Sequence, residues 1–282
     1  MLKPVPVSIL IATYAGEQAS RLYLALESLY VQSRIPLEIV LVVDGPVDEH
    51  QEEVIQMFAT KPQPPLMQII RKQRCNGLAA ALNYGLPYCS NEIIARMDSD
   101  DISRNDRMEK QYIFLLDHSD IDVVASWQAE FEDDDTEHIR TVKETPAKHE
   151  EIVRALRWRN VVSHPTIMFR KTPVVRIGGY NETVGLLEDY DLHMRLVHAG
   201  SRYAAIQEPL VKVRISRNQR SRRGGWSYIL AEGKFRYRSF RRGNYSFAIF
   251  LFSFIASAVF RLMPVFLKAA MYRLVRNSVR VT

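Results

Sequence analysis

Two nearly continuous runs of β-branched and other apolar residues lie close together near the start of this 282-residue chain. They cover residues 7–12 (VSILIA) and 37–43 (LEIVLVV). Runs of this kind are typical of strands that are buried on both faces of a parallel sheet. The stretch between them, residues 19–32, places apolar side chains at helical spacing, namely Leu22, Ala25, Leu26, Leu29 and Tyr30. The beginning of the chain is therefore predicted to form a strand, a helix and a second strand.

The alternation of strand and helix patterns continues along the chain. Residues 54–58 belong to a second predicted helix, 67–70 to a third strand, 77–86 to a third helix and 92–97 to a fourth strand. This pattern predicts an α/β, Rossmann-like domain with a mostly parallel central sheet flanked by helices. Because ligands of such domains gather at the carboxyl ends of the strands, residues directly after the predicted strands are the candidate site residues.

Three carboxylates follow the fourth predicted strand within four residues, as Asp98, Asp100 and Asp101. Their mutual repulsion is tolerated most readily where a cation compensates it. Mg²⁺ or Mn²⁺, bound by one or two carboxylates and by phosphate oxygens, is the natural occupant. The alternative is that Asp101 caps a helix beginning within residues 103–107, with Asp98 and Asp100 exposed.

Polar residues also follow the first two predicted strands. Thr13 and Tyr14 follow the first, and Asp44 ends the second. A carboxylate in that place can bond the base or ribose of a nucleotide, although Asp-Gly is also a common turn sequence. Neither a Gly-x-Gly-x-x-Gly motif after the first strand nor a P-loop motif is present, which disfavours a dinucleotide oxidoreductase and a P-loop ATPase.

A further acidic group, Glu188, Asp189 and Asp191, lies in the sequence LLEDYDLHM. A carboxylate at a helix N-terminus can act as a general base if it reaches an acceptor hydroxyl. The alternative is that Asp189 only caps the helix, where its charge favours the helix dipole. Another acidic run, residues 130–137 (EFEDDDTE), is predicted to be a solvated hairpin or loop.

Charge is distributed unevenly along the chain. The net charge of +6 combines residues 1–201, with 21 basic and 30 acidic side chains, and residues 202–282, with 17 basic and two acidic ones. Arginines, serines and glycines in residues 214–225 could clamp a pyrophosphate, and nucleic acid or anionic lipid would also accept such a loop. The net charge of −9 in the preceding domain argues against nucleic acid as a partner.

The C-terminal part combines apolar and basic residues. Residues 247–260 are uncharged, but 14 residues fall short of the roughly 18 to 20 needed to span a bilayer. Residues 265–281 mix basic and apolar side chains, which is typical of a helix in the interface of an anionic membrane. The alternative is a buried helix packed on the main domain. We expect a main domain at residues 1–225 and a helical, membrane-associating extension at residues 226–282.

The chain shows no secretory signal at its start. Its two cysteines, Cys75 and Cys89, form neither a disulfide framework nor a four-cysteine zinc site. These observations predict a reducing, cytoplasmic setting. Together with the basic C-terminal part, they predict a peripheral position on the inner face of the cell membrane.

In this order, the segments resemble glycosyltransferase family 2, whose members are inverting enzymes with an A-type fold that use nucleotide sugars. The matching pieces are VSILIATY, the strand ending at Asp44, GLAAALNYGL, IIARMDSDD, SHPTIMFRK, GGYNE and LLEDYDLHMRL. The resemblance runs from about residue 7 to residue 225 and is closest to bacterial enzymes of exopolysaccharide, O-antigen and capsule assembly, including amylovoran-type enzymes.

The resemblance implies which residues hold the donor. Asp98 and Asp100 match the Asp-x-Asp motif, with Asp100 as the direct ligand of Mn²⁺ or Mg²⁺ and Asp98 at the metal and the ribose. The other residues that the resemblance implies for the donor are Thr13, Tyr14 and Asp44 at the nucleoside. Asn76 is a further candidate for donor binding, and Arg222 and Arg223 of the arginine-rich loop could meet the diphosphate. Many relatives have Asp-Asp-Gly-Ser where this chain has Val43-Asp44-Gly45-Pro46, so one carboxylate of that motif is missing.

The resemblance also implies the reaction. Asp189 matches the base that deprotonates the acceptor hydroxyl, and Asp191 is the second candidate for that role. A sugar would pass with inversion from a nucleoside diphosphate sugar, with UDP as the expected nucleotide, to a glycan or lipid-linked oligosaccharide. The Gln-x-x-Arg-Trp motif of processive synthases is absent, which predicts the transfer of one sugar per encounter.

Two other classes of protein remain as alternatives. A nucleotidyltransferase acting on sugar phosphates would share the strand-end carboxylates and the metal, but it usually has a Gly-rich, basic loop after the first strand. Residues 12–17 (ATYAGE) contain one glycine and no basic residue. A non-catalytic membrane-associated scaffold would explain the basic C-terminal part but not the carboxylates at three predicted element ends.

Overall fold

The computed structural model describes residues 4–61, 64–215, 225–243 and 245–262. The chain forms two compact units, Met1–Ser216 and Arg217–Thr282. The first unit contains a nine-stranded sheet and seven of the described α-helices. The second contains two described helices.

The strands of the sheet are β1 Val5–Thr13, β2 Pro36–Asp44, β3 Leu66–Lys72, β4 Ile93–Asp98, β5 Ile102–Ser103, β6 Val123–Glu132, β7 Ile139–Lys143, β8 Met168–Arg170 and β9 Tyr203–Ile215. The helices of the first unit are α1 Ala19–Tyr30, α2 Glu49–Ala59, α3 Leu78–Gly85, α4 Arg107–Asp117, α5 His149–Leu156, α6 Lys171–Arg176 and α7 Glu188–His198. The second unit contains α8 Gly225–Arg241 and α9 Phe247–Leu262.

The strand order is β3-β2-β1-β4-β8-β6-β9-β5, and β7 pairs with β6 outside this path. The first four strands pair in parallel, as the sequence predicts. The rest of the sheet is mixed, because β4 with β8, β6 with β8, β6 with β7 and β5 with β9 are antiparallel, while β6 with β9 is parallel. The predicted α/β fold is confirmed, with antiparallel pairing in the half of the sheet that the repeating pattern does not reach.

Burial on both faces explains the apolar runs that the sequence shows. In β2, every residue from Ile39 to Val43 is at most 1% exposed. Helix α3 approaches these strands closely at Gly85, where an added Cβ would lie 2.4 Å from the Val42 side chain and 2.8 Å from that of Leu10. A side chain larger than hydrogen would therefore push this helix away from the sheet.

The register brings the ends of the parallel strands level with one another. Ala12 is paired with both Val42 and Asp98, and Thr13 is paired with Val43. Because the three strands are parallel, their carboxyl ends meet at one edge of the sheet. The predicted site residues after β1, β2 and β4 therefore share that edge.

The segment after β4 differs from one alternative drawn from the sequence. Ile102–Ser103 forms the short strand β5, which is antiparallel to β9, and α4 begins only at Arg107. The N-cap position of α4 belongs to Asp106. The interpretation of Asp101 as a helix cap is therefore wrong, since its carboxylate accepts a hydrogen bond from the backbone amide of Arg214 at 2.8 Å.

The predicted acidic hairpin is confirmed. Its strands are β6, which ends at Glu132, and β7, which begins at Ile139. Asp133 in the turn has a φ of 49°, a left-handed conformation that Asp tolerates better than most residues. Asp134 in the same turn pairs with Arg21 at 3.1 Å and with Arg214 at 2.9 Å.

In the second unit, α8 and α9 pack against each other through aromatic rings. Phe240 of α8 lies 5.7 Å, between ring centroids, from both Phe247 and Phe250. The buried Glu232 accepts hydrogen bonds from Arg236 at 2.7 Å and from Ser257 Oγ at 2.6 Å. None of the helices within the described residues has the length and apolar character required to cross a bilayer.

Candidate active site

Three aspartates crowd the end of β4 and the loop that follows it. Ligand oxygens of Asp98, Asp100 and Asp101 lie within 4.8 Å of one another. Asp101 is only 1% exposed, whereas Asp98 and Asp100 are half-buried. The sequence predicts Asp98 and Asp100 as metal ligands, and the structure adds Asp101 to the same cluster.

The cluster carries more negative charge than its protein surroundings offset. Burial, the charge of Asp98 and that of Glu17 raise the pKa of Asp100 to about 7. Burial and the two neighbouring aspartates raise the pKa of Asp101 well above its ordinary value of 3.8. The buried Oδ2 atom of Asp101 has no hydrogen-bond partner among the described residues. A divalent cation that prefers oxygen ligands would offset this charge, so the residues fit Mg²⁺ or Mn²⁺.

Two buried arginines fix the backbone and one side chain of this loop. Arg96 in β4 is 1% exposed and donates a hydrogen bond from Nη2 to Oδ1 of Asp98. Arg214 in β9, also 1% exposed, donates from Nε to the carbonyl oxygen of Asp100 at 2.9 Å. Arg96 could have been singled out in the sequence, because it stands in an apolar strand two residues before Asp98 and hence on the same face.

The loop before α3 is organised around Asp44. Its carboxylate accepts hydrogen bonds from Lys72 Nζ at 2.7 Å, from Cys75 Sγ at 3.2 Å and from the amides of Asn76 at 3.2 Å and Gly77 at 3.0 Å. Burial alone would raise the pKa of Asp44, but the bonds from Lys72, Cys75 and the Asn76 amide lower it. Asp44 thus holds this loop in place at the predicted nucleoside edge.

The residues after β1 divide into a buried and an exposed member. Thr13 is 1% exposed, and its hydroxyl lies 3.4 Å from Nε2 of Gln51. Tyr14 is 41% exposed, and its carbonyl oxygen accepts from the same Gln51 amide at 3.1 Å. Among the predicted nucleoside-binding side chains, Tyr14 and Asn76 are therefore accessible, while those of Thr13 and Asp44 are buried.

Asp189 lies in the first turn of α7, where the positive end of the helix favours negative charge. Its Oδ2 accepts a hydrogen bond from Asn160 Nδ2 at 2.9 Å, and its Oδ1 accepts from the Tyr190 amide at 2.6 Å. The N-cap position belongs to Leu187 and not to Asp189. These bonds orient a half-buried carboxylate at the helix end.

Glu188, next to Asp189, connects this helix end with the aspartates of β4. Burial, the charge of Asp189 and that of Asp98 raise the pKa of Glu188 to about 7. The charges of Asp98 and Arg96 in β4 both act on Glu188, so the start of α7 lies near the end of β4. The sequence predicts both groups as functional, and the structure brings them together.

Asp191, the second candidate for the base, is placed differently. It is 1% exposed and pairs with Arg195 at 2.5 Å. Arg195 also donates to the carbonyl oxygens of Ile177 at 3.1 Å and Gly179 at 2.7 Å. Asp191 is thus buried and paired, and Arg195 links it to the turn before Tyr180. Its role as the second candidate for the base stays a prediction, which this burial does not favour.

A layer of buried polar side chains lies under the site. His164 Nε2 is 2.9 Å from the hydroxyl of Tyr180. Burial, then the charges of Arg96 and His193, lower the pKa of His164 well below 6.5, so the ring is neutral. Burial raises the pKa of Tyr180, and the negative charges of Asp189 and Asp98 raise it further. The sequence pieces SHPTIMFRK and GGYNE supply these two residues.

The remaining predicted donor-binding residues, Arg222 and Arg223, lie outside the described residues.

A comparison with solved structures defines the fold class. The first unit's architecture is similar to that of S. aureus TarS 1-349 in complex with UDP-GlcNAc, with a TM-score of 0.64 and 15% sequence identity over 82% of this chain and 66% of that one. The chain spans only 39% of the full TarS chain. This likeness shows that the protein belongs to the class of chains with the A-type fold of glycosyltransferases.

Comparisons of sequence identify the family. Residues 8–178 match the family described as Glycosyl transferase family 2. The chain is 31% identical over 266 residues to the Escherichia coli UDP-Gal:alpha-D-GlcNAc-diphosphoundecaprenol beta-1,3-galactosyltransferase, covering 94% of each chain. It is 33% identical to the Erwinia amylovora amylovoran biosynthesis glycosyltransferase AmsE, covering 92% of this chain and 94% of AmsE. The chain belongs to glycosyltransferase family 2.

Proposed function

We propose that this protein transfers a sugar, with inversion, from a UDP-sugar to a hydroxyl of a glycan or lipid-linked acceptor in bacterial surface polysaccharide synthesis. The observation that carries the proposal is the proximity of the start of α7 to the end of β4, where the charge of Asp98 acts on Glu188. This proximity supports a single site that combines a candidate base, Asp189, with the carboxylates that suit the metal of a nucleoside diphosphate.

The donor would lie along the edge formed by β1, β2 and β4. Tyr14 and the loop held by Asp44 would contact the nucleoside, with Asn76 exposed on that loop. Asp98, Asp100 and Asp101 would hold Mn²⁺ or Mg²⁺. When bound, the ion neutralises charge on the diphosphate.

The acceptor hydroxyl would be activated by Asp189. The Asn160 amide and the backbone of Tyr190 keep its carboxylate in one orientation, which is what a general base requires. The acceptor oxygen forms a bond to the anomeric carbon, the bond from that carbon to the diphosphate breaks, and its electron pair leaves with the nucleoside diphosphate. Asp189 receives the proton. A single displacement of this kind inverts the anomeric configuration.

Relatives support the substrate class. The Escherichia coli relative is named for UDP-Gal and a GlcNAc-diphosphoundecaprenol acceptor, and AmsE is named for amylovoran biosynthesis. The exposed apolar side chains of α9, including Phe252, Ile255 and Val259 at helical spacing, support a position at the membrane, where a lipid-linked acceptor is found. We place the protein peripherally on the inner face of the cell membrane.

The experiment is to incubate the full chain with a panel of nucleotide sugars, with Mn²⁺, with Mg²⁺ and with a chelator, and to measure the nucleoside diphosphate released. We expect release from one UDP-sugar, which the chelator abolishes. The configuration of a transferred product, read from its anomeric NMR coupling, should be opposite to that of the donor. Release of pyrophosphate from nucleoside triphosphate and sugar phosphate would instead indicate a nucleotidyltransferase, and no turnover of any donor would contradict the proposal.

A further inference from the structure

The turn that follows α5 presents a tryptophan at the surface of the first unit. This turn, residues 157–160, is called the RWRN turn below. The backbone amides of Trp158 and Arg159 both donate to the carbonyl oxygen of Ala155, at 2.9 Å and 3.0 Å. The turn is thus fixed by its own backbone, yet the Trp158 residue remains 44% exposed. Tryptophan is usually among the more buried residue types, so this exposure calls for a function.

Hydrogen bonds on both sides of Trp158 hold the RWRN turn against the first turn of α7. On one side, the Tyr190 hydroxyl donates to the carbonyl oxygen of Leu156 at 2.5 Å. On the other side, Asn160 Nδ2 donates to Oδ2 of Asp189 at 2.9 Å. Trp158 is two residues from each anchor, within about 7 Å along an extended backbone. The backbone of Trp158 is therefore held close to the residue that orients the candidate base.

Two cationic residues flank Trp158 in the sequence. Arg157 and Arg159 are both exposed. Guanidinium groups bind phosphate oxygens in a bidentate manner. An indole offers a large, rigid apolar surface at a low cost in conformational entropy, which suits the C–H face of a sugar ring. The turn thus combines a surface for a sugar with two groups for phosphate.

We propose that the RWRN turn is the acceptor site: Trp158 covers one face of the sugar whose hydroxyl Asp189 activates, and Arg157 and Arg159 bind a diphosphate attached to that sugar. The inference rests on the proposed function and deepens it, because it assigns the acceptor to the class of glycosyl diphosphates. An interfacial membrane anchor is the other use of an exposed tryptophan. The bond from Asn160 to Asp189 favours the sugar, since it ties the turn to the base.

The test compares two forms of each acceptor probe, a short-chain alkyl glycoside and the same sugar as a short-chain alkyl diphosphate. The sugars are N-acetylglucosamine, N-acetylgalactosamine, glucose and galactose, and the donor is the one that the wild-type protein hydrolyses. Trp158→Ala should raise KM for both forms of the accepted sugar by about tenfold, the equivalent of about 1.4 kcal/mol. Trp158→Phe should restore most of that loss, because it restores an aromatic face.

The arginines are tested separately. Replacing Arg157 and Arg159 together by glutamine should raise KM about tenfold for the diphosphate probe and leave KM for the alkyl glycoside within about twofold. The matched control is Tyr88→Ala, which removes an aromatic residue of similar exposure, 45%, that precedes β4 at the opposite end of that strand. It should change neither KM. Thermal unfolding of each variant shows that it is folded.

Each of the following outcomes would contradict a different part of the proposal. An unchanged acceptor KM in Trp158→Ala, or a loss of vesicle binding without a change in KM, would show that Trp158 does not bind the acceptor sugar. Equal effects of the arginine substitutions on both probes would show that Arg157 and Arg159 do not bind a diphosphate of the acceptor. Wild-type protein that hydrolyses a donor but accepts neither probe would also overturn the acceptor site, whereas protein that hydrolyses no donor would overturn the proposed function itself.

Discussion

The three aspartates after β4 are held by different contacts. We therefore expect them to contribute differently to metal binding. Asp98 is paired with Arg96, and Asp101 is held by the amide of Arg214. Asp100 is instead held through its backbone carbonyl oxygen, which accepts a hydrogen bond from Arg214. We therefore expect the Asp100 carboxylate to contribute strongly to metal binding.

We predict that Asp100→Ala weakens Mn²⁺ binding at least about tenfold, because it removes an oxygen ligand from a three-carboxylate cluster. Direct titration of Mn²⁺ by calorimetry or electron paramagnetic resonance measures this. Asp135→Ala, in the exposed turn of the acidic hairpin, is the matched control and should bind Mn²⁺ as the wild type does. Equal Mn²⁺ affinity in both variants would remove Asp100 from the site.

His193 in α7 makes stability depend on pH. It is fully buried, and burial lowers its pKa from 6.5 to about 3. Between these values the unfolded chain binds a proton that the folded protein does not. Its contribution to stability is therefore fully present above pH 6.5 and is lost as the pH falls toward about 3, by roughly 1.4 kcal/mol per pH unit.

The free energy of unfolding should decline between pH 6 and pH 4. We predict that His193→Phe lowers the slope of this decline by about 1.4 kcal/mol per pH unit, which corresponds to the uptake of about one proton. Denaturant unfolding at several pH values measures the slope. His198→Phe, at an exposed position of the same helix, should leave the slope unchanged. A slope in His193→Phe that matches the wild type would show that His193 titrates normally in the folded protein.

At the level of single residues, the sequence predicted the groups that follow strands but not those that hold them. Asp98, Asp100 and Asp189 are found where their positions after a strand or at a helix start imply. Asn160 and Arg214 act through tertiary contacts 29 and 113 residues away in the chain, so no local spacing indicates them. Asp191 and Arg195 are at helical spacing, but that spacing does not show that α7 buries Asp191.

At the scale of elements, α3 and the loop before α7 are joined by one side chain. Asn83 in α3 donates to the Tyr180 carbonyl oxygen at 2.8 Å and to Glu182 at 2.9 Å, and it accepts from the Tyr180 amide at 2.7 Å. The helix that begins at the Asp44 loop is thereby linked to the turn that carries Tyr180. Gly179 in that turn has a φ of 68°, and an added Cβ would lie 2.5 Å from Asn83 Oδ1.

This geometry predicts coupling between Asn83 and Gly179. Gly179→Ala should destabilise the protein by about 1–2 kcal/mol from backbone strain alone, and by more because of the clash. In the background of Asn83→Ala the clash is gone, so the cost of Gly179→Ala should fall by at least about 0.5 kcal/mol in a double-mutant cycle of unfolding free energies.

Gly178 provides the control for that cycle. Its φ is 82°, but an added Cβ would have nothing within 4 Å. Gly178→Ala should therefore cost strain without coupling to Asn83. The same coupling energy at both glycines would contradict the role of Asn83.

The elements that the sequence predicted are those with a repeating pattern. All four strands of the parallel half were expected within a few residues of their observed ends, because their apolar runs alternate with patterned helices. Strands β5 and β8 have two and three residues, too few to show a period, and their antiparallel pairing depends on partners far away in the chain. These two strands could therefore not be predicted from local pattern.

At the scale of the whole molecule, charge separates the two compact units. Residues 217–282 contain 14 basic side chains and a single acidic one, Glu232. The exposed apolar residues of α9 belong to the same unit. Basic and apolar surfaces together favour an anionic membrane, and salt weakens the electrostatic part of that attraction.

We predict that deleting residues 244–282 removes most of the binding to anionic lipid vesicles, as measured by co-sedimentation. The full chain should sediment with anionic vesicles, less so at high salt, and much less with neutral vesicles. Donor hydrolysis by the shortened chain reports whether the first unit is still folded. Unchanged sedimentation after the deletion would reject the membrane position.

If donor binding and proton removal are separate tasks in one site, Asp189→Asn should impair one and spare the other. The substitution keeps the shape of the side chain but removes the basic carboxylate. We predict that UDP-sugar binding, measured by calorimetry with Mn²⁺, stays within about twofold of the wild type, while transfer falls by about 10² to 10⁴. Transfer at the wild-type rate would contradict the account, as would a loss of donor binding equal to the loss of transfer.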